Sequence, residues 1–256
     1  MVEKELKMEI GRGARKPEYR EKGQIGKGKS IGILTAMEEE LAPLLEMAQL
    51  EGMEEFGKNR YYFGTLGGKP VVMAYSKIGK VFSAITATTM VLKYQIGALI
   101  FSGVAGGIDP RLKIGDLVIA TSLCQHDVDL TPFGHPPGYI PGGKVCYPTD
   151  LTLRRKGVEV AQRLGIRFLE GVIASGDQFI EDPARKREIW EQFQAVAIEM
   201  EGAAVGKVCW SFDVPFLVIR AISDSAGEGA AADFDKFLEE SSWKSAQLVE
   251  KILQKL

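Results

Sequence analysis

The sequence predicts an α/β fold built on a mixed or parallel sheet. From Ser30 onward, short apolar runs alternate with segments of helical periodicity, the pattern left when helices pack on the faces of a sheet. The apolar runs are continuous in Val, Ile and Leu, as strands buried on both faces must be. No internal repeat or low-complexity tract interrupts residues 31–256.

The first run, Ile31–Thr35, reads as a strand, followed by a helix over about 38–49 that opens on Glu38, Glu39 and Glu40. Acids in a first turn suit the positive end of a helix, which accounts for two of the three; they point in different directions and cannot all line one pocket. Val71–Tyr75 is the second strand and about 80–94 the second helix; Ala98–Phe101 and Leu117–Thr121 are the next strands. A helix over 151–163 leads to the strand Gly171–Ala174. Asp182 and Pro183 start the helix 183–193, the aspartate as N-cap and the proline where its missing N–H costs nothing. A helix over about 200–212, the strand Phe216–Ile222 and a helix from about 234 to the end complete the series. In that last helix Phe234, Phe237, Leu238, Trp243, Ala246, Val249, Ile252 and Leu253 recur at three- and four-residue spacing, a stripe for the core.

A chain of 256 residues, 45% hydrophobic, can bury a sizeable core. With 32 basic against 34 acidic residues, the net charge of −2 gives no electrostatic reason for a nucleic-acid partner or an anionic membrane surface. No apolar run approaches the roughly 18 residues a membrane span needs, and the N-terminus lacks the apolar core of a signal peptide. Cys124, Cys146 and Cys209 are odd in number, far apart in sequence and without a C-x-x-C pair, which fits a reducing compartment. A cytoplasmic protein acting on small molecules is expected.

Residues 1–30 carry nine Lys/Arg against five Asp/Glu and almost no periodic apolar pattern. They read as a flexible polar extension without a catalytic role, leaving 31–256 as the catalytic domain. The segment from about 122 to 149 holds two His and five Pro and is too long for a plain connection, so it is functional or an interface element.

In open α/β sheets ligands bind beyond the carboxyl ends of the strands, so residues just past each strand matter most. Thr35-Ala36-Met37 leads to the three acids; Ser102-Gly103-Val104-Ala105-Gly106-Gly107 lets backbone approach a ligand closely. In Ser175-Gly176-Asp177-Gln178-Phe179-Ile180, Phe179 is either core or a face for a flat heterocycle. Glu199 and Glu201 stand where a buried strand gives way to a helix, a costly place for a carboxylate unless it is paired or bound to ligand hydroxyls such as a sugar diol. Arg220-Ala221-Ile222-Ser223-Asp224 ends an apolar run, with Asp224 read as an N-cap, an Arg–Asp pair or a general acid at the mouth of the sheet. His126-Asp127-Val128-Asp129 lacks a third converging ligand, so no metal is expected. Two histidines and no G-x-S-x-G turn leave nothing for a serine hydrolase.

Taken together, IGILTAMEEE at 31–40, SKIGK at 76–80, SGVAGGIDP at 102–110, QHDVDLTPFG at 125–134, ASGDQFI at 174–180, AIEMEGAA at 197–204 and VIRAISDSA at 218–226 resemble the nucleoside phosphorylase/nucleosidase superfamily. Within it the resemblance is to the 5′-methylthioadenosine/S-adenosylhomocysteine nucleosidase family. That resemblance implies a single-domain three-layer α/β/α sandwich with a central mixed, mostly parallel twisted sheet. It implies hydrolysis of the N-glycosidic bond of an adenine nucleoside, with no metal or organic cofactor. By the same resemblance Asp224 protonates adenine N7, Glu40 positions and activates the attacking water, and Glu201 grips the ribose hydroxyls. Phe179 and backbone groups of Ile180 would hold adenine, Met37 and Met200 would line the nucleoside site, Arg220 and Ser223 would support Glu40 and Asp224, and Ile78 and Phe234 would line the 5′ pocket. A homodimer is implied, with Leu130, Phe133 and Pro141 covering the 5′ group of the neighbouring subunit's substrate. Val104 departs from the pattern, since many members carry a small hydroxyl residue there.

The resemblance leaves two other chemistries to weigh. A phosphorylase would need cations for its phosphate, and Met37-Glu38-Glu39-Glu40 offers carboxylates. A non-catalytic nucleoside-binding module needs a diol clamp but no water-activating acid. Among adenine nucleosides, 5′-methylthioadenosine, S-adenosylhomocysteine, 5′-deoxyadenosine and 6-amino-6-deoxyfutalosine all fit, and the spacing leaves methionine salvage and menaquinone synthesis both open.

Overall fold

The computed structural model describes residues 30–227 and 229–256. The extension expected over 1–30 thus lies, Ser30 aside, outside the described residues. The chain runs β1 (Ile31–Thr35), α1 (Glu38–Met47), β2 (Gln49–Phe56), β3 (Asn59–Leu66), β4 (Lys69–Tyr75), α2 (Lys80–Leu92), β5 (Ala98–Gly107), β6 (Leu117–Gln125), β7 (Cys146–Pro148), α3 (Leu151–Arg163), β8 (Phe168–Ser175), α4 (Pro183–Phe193), β9 (Ala195–Glu199), α5 (Gly202–Ser211), β10 (Phe216–Asp224) and α6 (Ala230–Leu253).

One mixed sheet holds all ten strands. β1 lies parallel to β4 and β5, and β5 is parallel to β10. β10 then pairs with β6, β6 with β8, β8 with β9, and β9 returns to β5, so these five strands close on themselves. Helices on both faces explain the continuous apolar strands: α2 and α5 pack on one side through Ala87, Met90, Val205 and Val208, and α1, α3 and α6 on the other through Leu41, Leu44, Leu153, Val160 and Val249. Asp182 caps α4 by accepting from Ala184 N at 2.8 Å, with Pro183 in the first turn, as its sequence predicts.

The sequence reading above gives no bounds for four strands. β2 is almost wholly exposed, so its QLEGMEEF shows no apolar pattern. Its partner β3 turns from it at Gly57-Lys58 and into β4 at Gly67-Gly68, all four residues with positive φ, the tight hairpin turn that matches strand twist. β7 and β9 are only three and five residues long.

β7 also corrects the reading of the cysteines. It returns the long segment to β6 in antiparallel register, places Cys146 opposite Cys124 and joins them in a disulfide, with Cα atoms 4.3 Å apart. Cys209 stays a buried thiol. No helix among the described residues is long and apolar enough to cross a membrane.

Candidate active site

A cleft opens over the carboxyl ends of the central strands. Glu40, Glu201 and Asp224 line it, brought there from α1, the start of α5 and the end of β10. Met37, Ile78, Phe179, Ile180, Met200, Ser223 and Phe234 complete much of its wall. Phe179 and Phe234 meet edge to face, ring centroids 5.9 Å apart. Arg220 sits behind the wall, fully buried, its guanidinium 4.0 Å from the ring centroid of Phe101. Leu130, Phe133 and Pro141 do not line this cleft; Phe133 is 78% exposed.

Glu40 shows why one of the three opening acids differs from its neighbours. It occupies the third position of α1, where its side chain turns back to the helix start. Oε2 accepts from Ala36 N at 2.7 Å and Met37 N at 3.0 Å, and Oε1 from Val104 N at 2.8 Å. Burial pushes its carboxyl up, against the Arg220 charge and these three N–H groups. Gly103 is required by space, since a Cβ there would collide with both Glu40 Oε1 and Arg220 Nη1.

Asp224 is the last residue of β10. Its Oδ2 accepts from Ser223 Oγ at 2.9 Å and its Oδ1 from Ala226 N at 2.7 Å. Burial raises its pKa, and those two donors only partly oppose it. A carboxyl held this way keeps its proton to a higher pH than an exposed aspartate, as a proton donor requires.

Glu201 accepts from Gly79 N at 2.8 Å and lies 3.6 Å from Arg220 Nη2. Between them stands Glu199, which binds Arg220 Nη2 and Ser175 Oγ, and also accepts from Gly202 N at 2.7 Å. The sequence marks Glu199 as a carboxylate at a costly junction, but nothing in its spacing tells that it, not Glu40, is the direct partner of Arg220. Three carboxyls around one guanidinium cannot all ionise cheaply. Burial first, then the Glu199 charge, push Glu201 up to about 8.

That displacement predicts a pH effect on stability. Below pH 4.5 Glu201 is protonated both folded and unfolded and costs nothing. As pH rises from 4.5 to about 8 only the unfolded state ionises, so stability is lost across that interval and the loss is complete above it. Glu201→Gln removes the effect: melting curves of the free protein should coincide with wild type near pH 4 and lie higher from pH 8. Equal melting temperatures at both ends contradict the assignment.

A curled mixed sheet with an acid-lined cleft over the ends of its central strands defines an α/β protein of the nucleoside phosphorylase type. The chain belongs to the phosphorylase superfamily, whose family model matches residues 30–254. It is 48% identical over 226 residues to the aminodeoxyfutalosine nucleosidase of Campylobacter jejuni, covering 88% of this chain and 99% of that one. It is 40% identical over 228 residues to the 5′-methylthioadenosine/S-adenosylhomocysteine nucleosidase of Shewanella sediminis, covering 88% and 99%. Its fold matches the Helicobacter pylori 5′-methylthioadenosine/S-adenosylhomocysteine nucleosidase solved with butyl-thio-DADMe-Immucillin-A, with a TM-score of 0.87, 44% identity and coverage of 89% and 99%.

Proposed function

We propose that this protein hydrolyses the N-glycosidic bond of 5′-substituted adenine nucleosides, releasing adenine and the 5′-substituted ribose. The observation that carries the reading is the convergence of Glu40, Glu201 and Asp224 on one cleft beneath Phe179 and Phe234. Adenine leaves poorly as an anion, so the electron pair of the breaking C1′–N9 bond is best accepted while Asp224 gives its proton to N7. The ribosyl cation that develops needs only a weak nucleophile held nearby. Glu40 holds water at C1′ and takes its proton, with Arg220 Nη1 beside it over Gly103. Glu201 binds the ribose hydroxyls, while Phe179 stacks on the base and backbone groups of Ile180 read its edge. No Lys or Arg lines the cleft among the described residues, so phosphate would find no cation to hold it, which favours water over phosphorolysis.

The substrates share adenine and ribose and differ only at the 5′ group, so 5′-methylthioadenosine, S-adenosylhomocysteine, 5′-deoxyadenosine and 6-amino-6-deoxyfutalosine all fit. The name of the Campylobacter relative makes the last the first comparison to run. The test is adenine release from each nucleoside, by the full chain and by residues 30–256 alone. Release from at least one supports the reading, with equal rates for both chains placing the machinery in 31–256; no release from any refutes it.

The protein is proposed to work as a homodimer. One face of α2 and the turn before it leave Ile78, Val81, Phe82, Ile85 and Leu92 about half exposed or more, at the spacing of a packed stripe. Leu130, Phe133 and Pro141 would then reach the partner's cleft. Phe133→Ala should raise KM for 5′-methylthioadenosine about tenfold, the loss of one buried aromatic contact, with sedimentation unchanged. An unchanged KM removes Phe133 from the site, and a monomer in wild-type sedimentation removes the dimer.

A further inference from the structure

Two loops that carry cleft residues meet the segment after β6 at a small polar knot, which itself lies outside the cleft. Lys80, the first residue of α2, donates from Nζ to Asp127 Oδ1 at 2.6 Å and to Gln125 Oε1 at 3.2 Å. Asp127 Oδ2 accepts from Asp177 N at 2.9 Å, and Asp177 Oδ1 accepts from Lys80 N at 2.8 Å, which closes the ring. The Lys80 and Asp127 side chains are only 17% and 14% exposed, so the pair is shielded as surface pairs are not.

What the knot holds is awkward backbone. Lys77 and Gly79 both have positive φ, 76° and 102°, with Ile78 between them. Left-handed backbone at a lysine persists only when its surroundings fix it, and a Cβ at Gly79 would press on Asp177 Oδ1 at 3.1 Å. This turn puts Ile78 on the cleft wall and aims Gly79 N at Glu201 Oε1. On the opposite side Asp177 leads within two residues to Phe179.

We propose that Lys80 and Asp127 are positioning residues for the nucleosidase reaction: their ion pair clasps the 76–80 turn to the 176–180 loop and so sets the ribose grip of Glu201 and the place of Phe179. The proposal rests on the activity assigned above. Neither residue touches substrate; both act through the Gly79 amide and the Asp177 backbone. Because two bonds from one carboxylate reach both loops, losing either partner leaves the bond from Lys80 N to Asp177 Oδ1 as the main link between them.

The test uses the full chain. Kinetic constants for 5′-methylthioadenosine and melting temperatures are measured for Asp127→Asn, Lys80→Met, the double variant and Lys80→Arg. Each single change is expected to raise KM tenfold or more with a smaller fall in kcat, the scale set by misplaced binding groups. The double variant should be no worse than the worse single, since both remove one interaction, and Lys80→Arg should recover most of the loss. Multiplied effects in the double variant, or lower melting temperatures with unchanged KM, overturn the proposal. Hydrogen exchange over residues 76–80 reads the clasp without substrate: faster exchange in Asp127→Asn supports it and unchanged exchange refutes it, even where wild type releases no adenine and the assigned activity has failed.

Discussion

Asp224→Asn is expected to lower kcat for 5′-methylthioadenosine by about 10³-fold, within the 10²–10⁴ that a positioned proton donor supplies. Asparagine keeps the shape, and its amide oxygen can still accept from Ser223 Oγ or Ala226 N, so the end of β10 should hold its course. What is lost is the proton that makes adenine a neutral leaving group. Nucleoside binding should persist, because the base is still held by Phe179 and the sugar by Glu201. The raised pKa sets the pH profile: wild-type kcat should fall as pH rises through the Asp224 pKa, at a higher pH than an ordinary aspartate would give. Asparagine at 224 should remove that limb. Near-normal turnover in Asp224→Asn would strip the residue of its role.

Glu40→Gln should cost about 10²–10³-fold in kcat, with KM little changed. The side chain accepts from three backbone N–H groups, and a glutamine can satisfy only those facing its oxygen. One amide hydrogen then faces a backbone N–H, so part of the loss is reorientation of the start of α1. Glu40→Asp separates the two causes. It retains the charge but shortens the reach, so recovery of turnover would assign the effect to the carboxylate as base, and no recovery to its placement. A Glu40→Gln variant turning over at the wild-type rate would remove the water-activating acid from the mechanism.

The strands β1, β4, β5, β6, β8 and β10 are legible because burial on both faces leaves continuous apolar runs. β2 is not, since its exposed face and polar sequence resemble a loop; the positive-φ turns at Gly57-Lys58 and Gly67-Gly68 are the signal that finds it. Pairing of Cys124 with Cys146 depends on β7, a three-residue strand below the reach of any period. Candidate cleft residues are legible as positions because each follows a strand, and strand ends converge in a parallel sheet. Partnerships are not: Arg220 beside Glu199, and Lys80 beside Asp127 across 47 positions, follow only from the order of strands.

Product analysis in buffers with and without phosphate tests the central claim most directly. Purified protein is incubated with 5′-methylthioadenosine, and the sugar is identified by chromatography. Hydrolysis predicts free 5-methylthioribose and adenine at the same rate in both buffers. A phosphorylated sugar formed only when phosphate is present would contradict it and make the enzyme a phosphorylase.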